Sequence, residues 1–235
     1  MGRNIERDER EYALRMQEIA MTAFSVFAER TIEKVTMIDI AKACGKGISS
    51  IYRHYKSKPE LVLAAATVAW ESYIREHSRR YDPGNMTAAE RYEAFLDSFL
   101  DLYRNRRDLL RFNQFFNVYV QSEDIPAKEM EPYMDVIRGQ FKQFHDLYLT
   151  GLRDGTLRTD TPEGEMFSTT LHLMLAAVTR YAVGLVFTEG SDQEKELLTQ
   201  KNMLMERYTV GNRSQCPALS EDTATHPLMK QEERI

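Results

Sequence analysis

Five basic side chains, Lys42, Lys46, Arg53, Lys56 and Lys58, stand between Ala41 and Pro59 with no acidic residue among them. The chain as a whole has a formal net charge of −5, so the reversal is local. Cations at this density neutralise phosphates and gain affinity from the counterions they displace, a salt-dependent effect. The chemistry on offer is binding to a nucleic-acid backbone. The same division runs through the chain: residues 1–58 hold 11 Lys and Arg against 8 Asp and Glu, a surplus of +3, while residues 59–235 hold 20 against 28, or −8. One end suits nucleic acid and the remainder repels it.

Two short helices must position these cations. Thr36 is of a type that caps a helix through its hydroxyl, and Asp39 places negative charge at that helix's positive end. Ile40, Ala41 and Cys44 share one apolar face, and Gly45 supplies the left-handed conformation that closes a helix. After a turn, Ile51 and Tyr55 define the buried face of a second helix, leaving Ser49, Ser50 and Arg53 outward. Pro59 fits the first turn of the next helix, with Ser57 or Lys58 at its cap. An αα-hairpin in an unrelated bundle would share the apolar spacing, but it does not account for a wholly basic outer face.

The order Thr-x-x-Asp-Ile-Ala, a Gly turn, Ile-Tyr-x-His-Tyr and Lys-Ser-Lys-x-Glu-Leu, following an apolar helix, resembles the DNA-binding domain of tetracycline-repressor-type (TetR family) bacterial regulators. The motifs cover roughly residues 12 to 62; beyond them only helical layout and length agree. The resemblance implies a helix-turn-helix whose Tyr52, His54 and Lys58 hold phosphates, with Thr36 close to the backbone and Ser49, Ser50 and Arg53 as base readers. Lys46, Gly47, Ile48 and Lys56 complete the DNA-facing set.

Two residues depart from the family pattern. Lys46 stands where an apolar residue packs into the turn, and Ile48 where a polar, DNA-facing residue is common. Either Ile48 rolls inward while the Lys46 stem lies along the surface toward phosphate, or Ile48 stays in the groove against thymine methyls. Burial of an apolar side chain of this size is worth about 2 kcal/mol and favours the first arrangement.

The rest of the chain reads as helix throughout, with only 11 Gly and 7 Pro in 235 residues, so an all-α protein of about nine helices is expected. Residues 1–10 read as a solvated helix start or a basic arm. A supporting helix follows over about 11–30, and the expected DNA-binding domain is 1–58. A long fourth helix over about 61–80 ends at Asp82-Pro83-Gly84-Asn85 and leads into an effector-binding and dimerisation domain, 59–210. Thr87-Ala-Ala-Glu90 is a capping box opening a helix over 91–104. Further helices span about 107–120 and 125–153, the latter kinked at Pro132. An eighth, capped by Thr161, runs to about residue 187, and a ninth opens at the box Ser191-Asp-Gln-Glu194. Residues 211–235 lose periodicity and read as a disordered tail.

No Glu-x-x-His, His-x-x-x-His or Cys-x-x-Cys spacing occurs, and there is neither a Gly-rich phosphate loop nor a nucleophile elbow. No enzyme activity, metal or cofactor is expected. Cys44 and Cys216 read as reduced thiols, and no stretch suits a leader or a membrane span, so a cytoplasmic protein is expected. The aromatic stripes Phe95, Phe99, Tyr103, Phe112, Phe116, Tyr119, Phe141 and Phe144, with Met174, are ordinary core by periodicity. The family resemblance instead implies that such residues wall a cavity for an apolar or aromatic effector, with Asn113, His145, His172 and Tyr103 as polar points. On the eighth helix Leu173, Ala176, Ala177, Arg180 and Gly184 form a face small enough for close approach. The resemblance makes it a homodimer interface; an intramolecular contact is the alternative. The expectation is a homodimeric repressor released from a palindromic operator by a small molecule. A helical ligand-binding protein using its helix-turn-helix as a protein-interaction surface is the competing reading.

Overall fold

The computed structural model describes residues 5–78, 83–158, 160–186 and 190–210. Among the described residues there are nine α-helices: α1 (Ile5–Glu29), α2 (Met37–Ala43), α3 (Ile48–His54), α4 (Lys58–Ser78), α5 (Ala88–Asn105), α6 (Arg107–Ser122), α7 (Ala127–Asp154), α8 (Glu163–Ala182) and α9 (Gln193–Tyr208). Short 3-10 turns cover Ile32–Lys34 and Pro83–Asn85. The expected all-α class is what the chain adopts. The expected tail 211–235, the turn residue Asp82, Arg3 of the basic arm and the eighth helix's expected end at residue 187 lie outside the described residues.

α1 begins earlier than its apolar stripe suggests, because Arg7 and Glu11 pair one turn apart at 3.1 Å and support the charged first turns. Its inner face, Ile19, Ala20, Ala23, Phe24 and Phe27, is fully buried and packs against α2, α4 and α6. Phe24 meets Phe112 of α6 edge-on at 5.2 Å between ring centroids, and Arg111 donates to the Ala28 carbonyl at 3.0 Å. α4 runs from this junction to pack along α7. α5 is the centre of the remaining bundle, touching α6, α7, α8 and α9. Its Tyr92 hydroxyl shares a buried 2.7 Å hydrogen bond with Thr170 of α8. Lys201 of α9 reaches Asp97 at 2.6 Å and Glu93 at 2.9 Å. Burial opposes its charge, but the two carboxylates outweigh that and hold its proton affinity above the ordinary value.

Caps set the ends. Thr87 and Glu90 form the expected reciprocal box at α5. Thr161 does not cap α8: Pro162 takes that place, while the buried Thr161 hydroxyl accepts from Arg207 at 2.7 Å. Asp192, not Ser191, caps α9, accepting from the Lys195 N–H at 3.1 Å. α8 also stops short of the expected end. Gly184 adopts φ +79°, its N–H bonds to the Tyr181 carbonyl and that of Leu185 to Arg180. This is the paired bonding of a left-handed terminus, so Gly184 closes the helix rather than thinning its middle.

α7 continues through Pro132 and ends at Gly155 with φ +70°. Near that end Gly151 lies under Leu157, where a Cβ would fall 2.5 to 2.7 Å from three Leu157 side-chain atoms. Leu157 has little room to retreat, since its neighbours are tied to the end of α9 by Arg158 N–H to Tyr208 O at 2.8 Å and Val210 N–H to Thr156 O at 2.7 Å. Gly151→Ala should therefore destabilise the fold by about 1–3 kcal/mol in denaturant titration; an unchanged midpoint would show that the α7–α9 corner is loose.

Candidate nucleic-acid interface

α2 and α3 are seven residues each, below the roughly 12–15 at which a helix holds its own in water. They depend on caps and on α1. At α2 the Thr36 Oγ1 accepts from the Asp39 N–H at 3.2 Å, while Asp39 Oδ2 accepts from the Thr36 N–H at 2.9 Å and its hydroxyl at 2.7 Å. These bonds to Thr36 hold the half-buried Asp39 carboxyl below its usual range. Gly45 at φ +62° ends α2, with Gly45 N–H to Lys42 O and Lys46 N–H to Ala41 O. Gly47 then starts α3 without a side-chain cap.

α3 is seated by Ile51, buried completely, and by Tyr55 just beyond its end. The Tyr55 hydroxyl donates to the Met16 carbonyl of α1 at 2.8 Å, and burial pushes its ionisation up to about 12. With those two residues inward, Ser49, Tyr52 and Arg53 face solvent and Ser50 is half-buried. Thr36, Lys46, Gly47 and Lys56 are exposed around them.

Three residues sit otherwise than expected. Ile48 does not roll inward: it is 37% exposed in the first turn of α3, because Ile40, Ala41 and Ile51 already close the space between the two helices. The groove-facing alternative is the one its position allows. His54 is 8% exposed, its ring 4.7 Å from that of Tyr12 on α1. Lys58 is half-buried and turns away from the reading face. Its ammonium donates to the Glu33 carbonyl at 3.3 Å and lies 5.6 Å from the centre of the Tyr119 ring on α6. Burial lowers its proton affinity, against the pull of Glu123 and Glu33.

Tyr12 is absent from the expected set: it stands one turn before Met16 on α1 and is 44% exposed, so apolar periodicity does not single it out. Its hydroxyl donates to the Arg53 carbonyl at 3.5 Å, so α1 braces α3 at both Arg53 and Tyr55.

A cavity of about 410 Å³ opens between α4, α5 and α7. Tyr73, Ile74, Met86, Phe95, Phe144 and Leu147 supply apolar wall, with Arg91, Ser98, Gln140, Gln143 and Asp146 among its polar points. Only Phe95 and Phe144 of the expected lining set are there. Phe99, Tyr103, Phe112, Asn113, Phe116, Tyr119 and Met174 are buried without lining it; Phe112 faces α1, and Tyr103 faces Tyr181 of α8 at 6.4 Å. A helix surrounded on several sides shows more than one apolar stripe, and periodicity does not say which stripe meets a void. Phe141 is 42% exposed. His145 and His172 are exposed rather than inward: His145 Nδ1 lies 3.0 Å from the Glu163 carboxylate, and His172 Nδ1 lies 3.3 Å from Ser168 Oγ.

On α8, Leu173, Ala176 and Arg180 are exposed and Ala177 half-buried, with Gly184 exposed past the helix end. No helix of the described residues is long and apolar enough to cross a membrane.

Residues 13–65 match the model of the family described as bacterial regulatory proteins, tetR family. No curated protein sequence matches the chain. Solved structures do. A transcriptional regulator from Saccharomonospora viridis, in complex with choline, is 20% identical at a TM-score of 0.68, with 85% of this chain and all (100%) of that one covered. FadR from Bacillus subtilis, in complex with stearoyl-CoA, is 16% identical at 0.63, covering 80% and 95%. The ketosteroid regulator KstR2 of Mycobacterium tuberculosis is 18% identical at 0.59, covering 84% and 96%. At such identities the likeness is one of fold. The family model thus accounts for the helix-turn-helix of residues 13–65, and the rest of the helices are arranged as in these regulators, so the chain has the fold of tetR-type regulators with the family's DNA-binding domain at its N-terminal end.

Proposed function

We propose that the protein is a cytoplasmic homodimeric repressor that holds a palindromic operator and releases it when a small apolar or aromatic molecule fills the cavity between α4, α5 and α7. The observation that carries the DNA reading is the solvent-facing set Lys46, Ile48, Ser49, Tyr52, Arg53 and Lys56 around α3, which offers cations and small polar groups together and no carboxylate. Arg53, Ser49 and Ser50 read bases, Ile48 meets thymine methyls, and Thr36, Lys46, Tyr52 and Lys56 lie along phosphates. Residues 1–58 form the DNA-binding head and 59–210 the effector and dimer body. The work is binding throughout and calls for no catalytic group.

α4 is the link between the two. Its first residue, Lys58, touches the 3-10 turn ahead of α2 and Tyr119 of α6; its fifth turn carries Tyr73 and Ile74 into the cavity wall. A ligand that displaces those residues moves the head. In a dimer joined through α8 and α9, a change in the separation of two heads spoils their fit to successive major grooves about 34 Å apart. Choline and stearoyl-CoA, found with two of the similarly folded regulators, support a small-molecule role for this cavity without naming its occupant.

Selection of bound duplexes from a random-sequence pool tests the DNA reading and should return inverted repeats. Arg53→Ala should then lose about 1–3 kcal/mol on the preferred base at its position and relax the preference there; a loss equal for all four bases would remove Arg53 from base reading. For the effector, Trp70 is the chain's one tryptophan and lies edge-on to Tyr73 at 6.3 Å. Its emission should shift with any ligand of the cavity, and the same ligand should release the duplex; ligands that shift Trp70 yet leave DNA bound would separate the cavity from regulation. Leu173→Glu puts a charge on the exposed face of α8. Light scattering should report a monomer with intact helical content and weakened operator binding, and a persistent dimer would move the interface elsewhere.

A further inference from the structure

Among the described residues, the cavity between α4, α5 and α7 is lined by aromatic rings and one carboxylate. Phe95 and Phe144 meet edge-on at 5.6 Å between ring centroids. Tyr73 is held by its hydroxyl, which donates to the Ser98 carbonyl at 2.7 Å, and His77 stacks on it at 5.8 Å. The carboxylate is that of Asp146 on α7. Asp146 and Arg91 also line a groove along Thr150 and Arg153, so they mark the threshold between cavity and surface. The Asp146 carbonyl accepts from the Thr150 hydroxyl at 2.8 Å, but its carboxylate has no hydrogen bond or ion pair among the described residues. Neither nearby cation pairs with it. The charge of Arg91 acts on Asp154: burial opposes ionisation there, but bonds from Ala88 and Thr156, together with Arg91, outweigh it and hold the Asp154 carboxyl below its ordinary range. Arg153 lies in the groove outside the cavity and donates to Thr150 Oγ1 at 3.1 Å.

We infer that this cavity takes an organic cation, an apolar or aromatic body carrying an ammonium or amidinium group, with Asp146 as its counter-charge. This deepens the effector reading and rests on it; the new elements are the charge of the ligand and the residue that selects it. A cation that leaves water for an apolar cavity loses its hydration and needs negative partners inside. Aromatic faces attract it through their quadrupoles, and a carboxylate committed to no other group supplies a full charge at the mouth. An anion meets Asp146 as a like charge. A neutral molecule fills the apolar wall but strips water from Asp146 without replacing it.

Titration calorimetry of the full-length protein with ligands of matched shape tests the charge directly: phenyltrimethylammonium, its uncharged isostere tert-butylbenzene, and the anion phenylphosphonate. Apolar burial alone would rank the uncharged compound first. The cation should instead bind about 10-fold tighter than either of the others. Asp146 is exposed, so Asp146→Asn leaves the fold intact; it should weaken the cation about 10-fold and leave tert-butylbenzene unchanged. If tert-butylbenzene or phenylphosphonate binds as tightly as the cation, or Asp146→Asn keeps full affinity for the cation, the inference is overturned and the cavity remains a ligand site. If none of the three binds, the cavity reading fails and the inference falls with it. Cation binding that depends on Asp146 but leaves an operator duplex bound would uphold the inference and remove the cavity from regulation.

Discussion

The hydrogen bond from the Tyr55 hydroxyl to the Met16 carbonyl fixes where α3 lies, and everything the protein does with DNA depends on that placement. A seven-residue helix with no side-chain cap at its start has little stability of its own. It is held at Ile51, at Tyr55 and through Tyr12 beneath Arg53. Leaving the buried Tyr55 hydroxyl without its acceptor costs about 1–3 kcal/mol, enough to let the helix tilt before the domain unfolds. The orientation of the reading face is thus a property of α1 as much as of α3.

α6 extends the same dependence into the body. Phe112 stands against Phe24 and Phe27, Arg111 grips the Ala28 carbonyl, Arg106 lies over the Phe24 ring, and Tyr119 receives Lys58. These contacts mix apolar packing with directional bonds. The packing supplies most of the stability, while the bonds select one register between α1 and α6.

Local chemistry made the DNA-binding half readable from residue types. Thr36 with Asp39, Gly45, Ile51 with Tyr55 and the unbroken run of cations each act within a turn or two of chain, and each stands where those rules place it. Long-range geometry did not show. Lys58 has the right type and position for phosphate, but its partners Glu33 and Tyr119 lie 25 and 61 positions away, and nothing local announces them. The cavity lining is hidden from the sequence for a related reason: α5 and α6 each bury several faces, and only contact with α4 and α7 decides that Phe95 and Phe144 meet open space while Phe112 does not. Gly184 has the size of a residue at a close helix contact, but its φ of +79° makes it the end of a helix.

The ring of Phe112 has one more consequence. It covers Phe24 and Phe27, the aromatic residues at the heart of α1, so the hydrophobic core of the DNA-binding head is finished by a side chain from the body. Cut away at residue 58, the head would expose those rings to water and lose the arginine that holds the end of α1. It is not a portable module. A chimera that grafts this reading helix onto another regulator must bring α6 with α1 or supply an equivalent roof.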